Sequence, residues 1–147
     1  MRKNKEKNSL KSFFKILSLI YLAIVLYITL FNREPGEKRI DMVPFRSYYL
    51  LIEENNSFYF TQILYNILMT VPFGFLLPFI YKKMRSVFVV GLMGFLFSLS
   101  IETVQYITRR GLFEFDDLFN NTVGTVAGYI IFYIIQSILI TFIDRKR

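Results

Sequence analysis

IETVQYITRRGLFEFDDLFNNTVGTVAG, Ile101 to Gly128, is a polar stretch set between two long apolar runs. Its reading decides the fold: it is a turn between two helices that each cross a membrane. On a helix, Glu102, Gln105 and Arg109 fall at i, i+3 and i+7. So do Asn121, Gly124 and Gly128, with Asp117 one turn before Asn121. Each set therefore lies along one helix face. Arg109, Arg110, Glu114, Asp116 and Asp117 crowd between them. A carboxylate at a bilayer centre costs about 2.5 to 3.5 kcal/mol on insertion scales, so Glu102, inside an apolar run, needs a partner or a task. Asn66 and Asn121 are the expected partners.

Outward from that stretch, the chain resolves into four apolar runs. The first, at about 13–31, follows Arg2, Lys3, Lys5, Lys7, Lys11 and Lys15, the pattern of a signal anchor. FNREPGEKR comes directly after it with no small-x-small cleavage site, so the run reads as an uncleaved spanning helix. The second, at 58–81, contains Pro72, Gly74 and Pro78 and carries a polar stripe of Gln62, Asn66 and Thr70. Lys82, Lys83 and Arg85 make a basic hairpin to the third, at 86–108. The fourth, at 118–143, ends in Asp144, Arg145, Lys146 and Arg147. Segment 32–57 is the one long connection. It balances Arg33, Lys38, Arg39 and Arg46 with Glu34, Glu37, Asp41, Glu53 and Glu54, so it lacks the basic excess of a cytoplasmic loop. Within it, Tyr48, Tyr49, Leu50, Leu51 and Ile52 read as an interfacial stretch capping the bundle or as a ligand-binding lid.

These features give an all-α polytopic protein of the cell membrane, one domain over residues 1–147, with four transmembrane helices, both termini cytoplasmic and 32–57 outside. Composition agrees: 54% of 147 residues are hydrophobic, and the net charge of +7 is the positive-inside effect. Nucleic-acid binding has no motif to carry it. Absence of Cys and His removes disulfides, thiolate metal sites, the Ser-His-Asp triad and the HExxH zinc motif. Chemistry, if any, runs on carboxylates, Lys, Arg, Tyr or hydroxyls.

Together Asn66, Glu102, Gln105, Arg109, Arg110, Asp116, Asp117 and Asn121 are expected to form a polar chamber open to the outer surface. A structural reading stands beside it, in which Glu102 pairs with Arg109 or Arg110 while Gln105 and Asn121 hydrogen-bond between helices. Membrane lipids are partners in either case.

NILMTVPFGFLLP (Asn66 to Pro78), SIETVQ with Glu102 and Gln105, and GLFEFDDLFNNTVGTVAGY (Gly111 to Tyr129) together resemble the VanZ-like family. DMVPF (Asp41 to Phe45) is similar to that family's Asn-apolar-apolar-Pro-Phe element, with Asp41 where Asn is more usual. The resemblance covers the chain from about Asp41 to Tyr129. It marks Asn66, Glu102, Gln105, Asp116, Asp117 and Asn121 as site residues, and Pro72, Gly74, Pro78, Gly124 and Gly128 as structural ones. Glu114 replaces what is often Asp, and the order of Arg110 and Gly111 differs from the Gly-Arg of some relatives. The resemblance implies a Gram-positive cell-envelope protein that reduces susceptibility to lipoglycopeptides such as teicoplanin, by changing how much drug, or lipid-linked cell-wall precursor, is available at the outer leaflet. Such drugs carry a fatty tail and cationic groups, which suits an acidic chamber. Two alternatives remain. One is an enzyme acting on a lipid-linked headgroup, with Glu102 as general base and Glu114, Asp116 and Asp117 holding a divalent cation. The other is a structural partner of an envelope protein or polymer. The first reading needs no cofactor.

The charge pattern makes a direct prediction. Cysteines placed singly at Asn55 and Lys83 of this Cys-free chain differ in labelling by an impermeant thiol reagent on intact cells, Asn55 labelled and Lys83 protected. Equal labelling of the two refutes the topology.

Overall fold

The protein is described by a computed structural model over residues 2–81 and 84–144, with side chains from Asn8 onward. The basic pair Lys82, Lys83 and the triplet Arg145, Lys146, Arg147 lie outside the described residues. Helix α1, Arg2–Leu26, runs on through a π-helical turn, Tyr27–Phe31. A two-residue strand β1, Ile40–Asp41, and a short helix α2, Arg46–Glu53, follow. Then come α3, Ser57–Ile80, α4, Val87–Thr108, strand β2, Phe113–Glu114, and α5, Phe115–Asp144. Among the described residues, four segments are long and apolar enough to cross a membrane: Asn8–Phe31, Ser57–Ile80, Val87–Thr108 and Phe115–Asp144, with mean hydropathy between 1.9 and 2.3. The chain is a multi-pass, all-α membrane protein.

Two boundaries differ from those expected. The connection 32–57 holds α2 and β1, and the fourth spanning helix starts at Phe115 instead of 118. Asp116 and Asp117, read as turn residues, form the first turn of α5, where acidic side chains face unpaired backbone N–H groups and the positive end of the helix dipole. At 1.5 Å per residue the 30 residues of α5 span about 45 Å, against a hydrocarbon core of about 30 Å, so its ends reach past the apolar layer.

The bundle is built on α3 and α5. A Cβ at Gly74 would overlap the Thr125 carbonyl, one at Gly124 the Ile67 carbonyl, and one at Gly128 the Val71 carbonyl. The two backbones are therefore in contact, which only glycine permits. Small residues four apart on α5 provide that groove. Pro72 and Pro78 lie inside α3, with Pro78 buried and Pro72 half-buried. Thr70 donates its one hydroxyl proton to the carbonyl of Asn121 on α5 at 2.8 Å, with the carbonyls of Asn66 and Ile67 within its own helix as alternative acceptors at 3.2 Å. α4 covers α5 from the other side, with Gly94 against the Thr125 side chain. α1 lies against α3, tied by Tyr21, whose hydroxyl donates to the Met69 carbonyl at 2.6 Å.

Apolar and polar residues are distributed along the bundle axis. Toward the α4 start, Leu77, Val90 and Tyr129 form an apolar core with Phe73, Met84 and Met93. Toward the α4 end, the buried polar residues include Thr70, Ser98, Glu102, Gln105, Asp116, Asp117, Asn120, Asn121 and Thr125, with Ile63, Ile101 and Leu118 among them. Outward faces carry Ile16, Ile20, Ile24, Leu92, Ile134, Ile138 and Phe142, as a lipid-facing surface requires.

Gly128→Leu tests the helix contact. It forces α3 and α5 apart, and by analogy with overpacked cores it is expected to cost about 1 to 3 kcal/mol or more, read as an earlier thermal transition in detergent. An unchanged transition removes the backbone contact from the argument.

Candidate functional site

The polar end of the bundle is closed by the connection between α1 and α3. β1 pairs in parallel with β2, Ile40 opposite Phe113 and Asp41 opposite Glu114. The Gly36 N–H donates to the Arg109 carbonyl at 2.7 Å, and the Phe113 N–H to the Arg39 carbonyl at 3.1 Å. Asp116 fixes the second part of the connection. Its carboxylate accepts from the backbone N–H groups of Phe45 and Ser47, each at 2.7 Å, and so caps the start of α2 from a position about seventy residues further along. Phe45 holds a left-handed φ of 60° there. Charge-assisted bonds of this kind contribute about 1.5 to 3 kcal/mol, enough to offset the roughly 1 to 2 kcal/mol cost of that conformation. Phe45 also packs edge-on against Tyr48, Phe115 and Phe119. Asp41 accepts from the Val43 N–H at 3.2 Å and pairs with Arg46 at 2.7 Å.

Under this cover lie three acids. Glu102 is 1% exposed and accepts from the Glu114 N–H at 3.2 Å. Asp117 accepts from the Asn66 amide, and Glu114 from the Gln62 amide at 2.7 Å. Below them the Asn121 amide donates to Ser98 Oγ at 2.8 Å, and that hydroxyl donates to the Asp117 carbonyl at 3.3 Å. The Tyr48 hydroxyl donates to Asn120. Burial, and the charge of Asp116 beside it, raise the Tyr48 phenol above its ordinary range and keep it a donor. Gln105 donates to the Thr29 carbonyl at 2.9 Å, joining α4 to the end of the first span. Two buried amide oxygens, Gln105 Oε1 and Asn121 Oδ1, have no donor among the described residues.

Arg33 is an exposed cation at the edge of this cluster. Its guanidinium lies beside Gly111, where a Cβ would stand 2.9 Å from Nη1, and its charge acts on Glu114. The expected arginines are elsewhere. Arg109 ends α4 with a left-handed φ of 60° and an exposed side chain. Arg110 donates to the carbonyls of Leu30 at 3.0 Å and of Phe31 and Arg33 at 3.3 Å, where a helix's last carbonyls lack partners. Neither arginine pairs with Glu102 among the described residues.

A family model described as VanZ/LLP1 matches residues 17–136. The chain belongs to the VanZ/LLP1 family. Neither curated proteins nor solved structures give a match. In this VanZ/LLP1 chain Asn66, Glu102, Gln105, Asp117 and Asn121 do come together, while Asp116 leaves the group to hold α2. The expected trio for a divalent cation, Glu114, Asp116 and Asp117, is thereby split, and no three acidic side chains are grouped to hold a metal among the described residues. The expected partners of Glu102 are also differently engaged, Asn66 with Asp117 and Asn121 with Ser98. The open chamber is a packed cluster, with Glu102, Gln105, Asp117 and Asn121 each at most 6% exposed.

Gln62, read from the sequence as part of a polar stripe, and Tyr48, read as part of a capping stretch or lid, join the cluster, while sequence reasoning missed Arg33, Ser98 and Asn120. Ser98 is one turn from Glu102 on the same face, so helical spacing could have found it. Nothing local marks Arg33, which reaches the site through a strand pairing across 73 residues of chain.

Burial raises the Glu114 carboxyl. The Gln62 hydrogen bond opposes that, Asp41 and Asp116 add to it, and Arg33 lowers it. A carboxyl raised in the folded state contributes full stability below its unfolded value of about 4.3, and the contribution is lost as pH rises through the raised value. Glu114→Gln keeps the acceptor for Gln62 and removes the titration. Its thermal transition in detergent is expected to fall less steeply than the parent's from mildly acidic to mildly alkaline pH. Parallel curves for the two proteins count against a destabilised, buried Glu114 charge.

Proposed function

We propose that this protein, a member of a membrane family linked to antibiotic resistance, lowers susceptibility to lipoglycopeptides such as teicoplanin through the acidic cluster at the outer end of its bundle. One observation carries the reading: three carboxyl side chains, Glu102 and Asp117 buried and Glu114 half-buried, lie under the cover with no ion pair among the described residues and only the exposed Arg33 at their edge. Helix packing alone has no use for that surplus of acid. Amides such as Asn66 and Asn121 join helices at a much lower desolvation cost. A cationic group entering from the outer leaflet would complete the charge balance, and an acyl tail would bring it to the level of the site. Entry requires the connection between α1 and α3 to lift, and that connection is held by paired backbone groups and by Asp116, with Tyr49 and Ile52 exposed on its outer side.

Expression in a sensitive bacterium is expected to raise the inhibitory concentration of teicoplanin more than that of vancomycin, which lacks the tail. Glu102→Gln and Asp117→Asn preserve shape and hydrogen-bonding capacity, and at unchanged membrane abundance either one removes protection. Full protection by both variants returns the cluster to a packing role. No protection by the parent refutes the resistance reading for this chain.

A further inference from the structure

At the opposite end of the bundle, the start of α1, the end of α3 and the end of α5 diverge and leave a cleft of about 450 Å³, within the range of small-molecule sites. Its inner wall is aromatic. Phe14 stacks on Phe79 at 4.1 Å, and Phe79 meets the edge of Phe132 at 4.8 Å, so the three helices share one apolar floor. Leu139 continues the wall along α5 and is 57% exposed. The mouth differs in kind: Lys11 and Arg85 line it, from different parts of the chain, and both are exposed. Arg85 is set there by its own backbone, whose carbonyl accepts from the Tyr129 hydroxyl at 2.6 Å. Neither cation takes part in the acidic cluster.

We infer that this cleft is a binding site for an anionic diacyl phospholipid, one acyl chain lying along Phe14, Phe79, Phe132 and Leu139 and the phosphate between Lys11 and Arg85. The apolar walls open sideways into the layer where acyl chains are, so lipid is the solvent that meets them. Two cations at the mouth and no acid among the described lining residues select a negative headgroup over a zwitterionic one. Basic pockets between transmembrane helices bind anionic lipid headgroups for this reason. The sequence next to the mouth continues in the same sense, with Lys82 and Lys83 before Arg85 and Arg145, Lys146 and Arg147 after α5.

The test uses the full chain purified in detergent, with native mass spectrometry during titration by phosphatidylglycerol or phosphatidylcholine of the same acyl chains. The parent is expected to hold phosphatidylglycerol about thirtyfold more tightly, the ratio for two basic contacts. The double variant Lys11→Gln, Arg85→Gln brings the two lipids close to equal. Lys15→Gln, on the same helix but outside the cleft lining, keeps the preference. Leu139→Trp fills the cleft and weakens both lipids. All variants alter exposed side chains, and circular dichroism checks that each retains the parent's helicity. Equal binding of the two lipids by the parent overturns the assignment, as does a preference that survives the double variant. A loss of preference as large in Lys15→Gln overturns it too, because it would reduce the effect to general charge at that end.

Discussion

The contact of α3 with α5, backbone on backbone, is the constraint from which the rest of the molecule follows. Gly74, Gly124 and Gly128 set the spacing, and at that spacing the side chains one, two and three turns further along meet. Thr70 reaches the Asn121 carbonyl, Asn66 reaches Asp117, and Gln62 reaches Glu114. A single register thus produces a ladder of three polar contacts along one seam. Each is worth little alone, since hydrogen bonds between membrane helices average about 0.6 kcal/mol. Their role is to make Asp117 and Glu114 tolerable at positions that burial would otherwise penalise.

The second constraint is the cover. Asp116 and Asp117 are neighbours on α5, yet they point to different tasks because successive residues on a helix are about 100° apart. Asp117 turns into the bundle. Asp116, also buried, turns toward the cover, and its two oxygens take the N–H groups of Phe45, just before α2, and of Ser47 in its first turn. The same helix start therefore builds part of the acidic cluster and fastens what lies over it. Glu114 belongs to both systems as well: its N–H donates to Glu102, its side chain takes the Gln62 amide, and its strand residue pairs with Asp41. Any movement that uncovers the acids must disturb bonds made by Glu114 or Asp116.

Much of this was legible in the sequence, and the part that was not has a common cause. Four long apolar runs and the inward-facing set of Glu102, Gln105, Asp117 and Asn121 follow from helical period, a local property. Gly124 and Gly128 could be read as a packing face for the same reason. Partner choice could not be read, because it depends on the α3–α5 register and on a strand pairing that closes a loop of more than seventy residues. Proximity in sequence misled at Arg109 and Arg110, which flank Glu102 on the chain but are spent on ending α4 and on the carbonyls of Leu30, Phe31 and Arg33. The charge near the acids comes instead from Arg33, which looked like an ordinary loop residue.

The two ends of the bundle solve opposite electrostatic problems with the same helices. At one end the acids are inside, surrounded by amides and hydroxyls and covered by chain. At the other the cations Lys11 and Arg85 are outside, at the rim of an apolar wall, where the interior consists of Leu77, Val90 and Tyr129. Long α5 connects them: its first turns supply Asp116, Asp117, Asn120 and Asn121, and its last supply Phe132 to Ile143. Because α5 is longer than the apolar layer is thick, it cannot lie wholly within hydrocarbon. Its polar first turns are met by protein, the cover at the acidic end. Its apolar turns beyond Phe132 have few protein neighbours and are left to lipid, so the cleft beside α1 follows from where the α3–α5 contact stops.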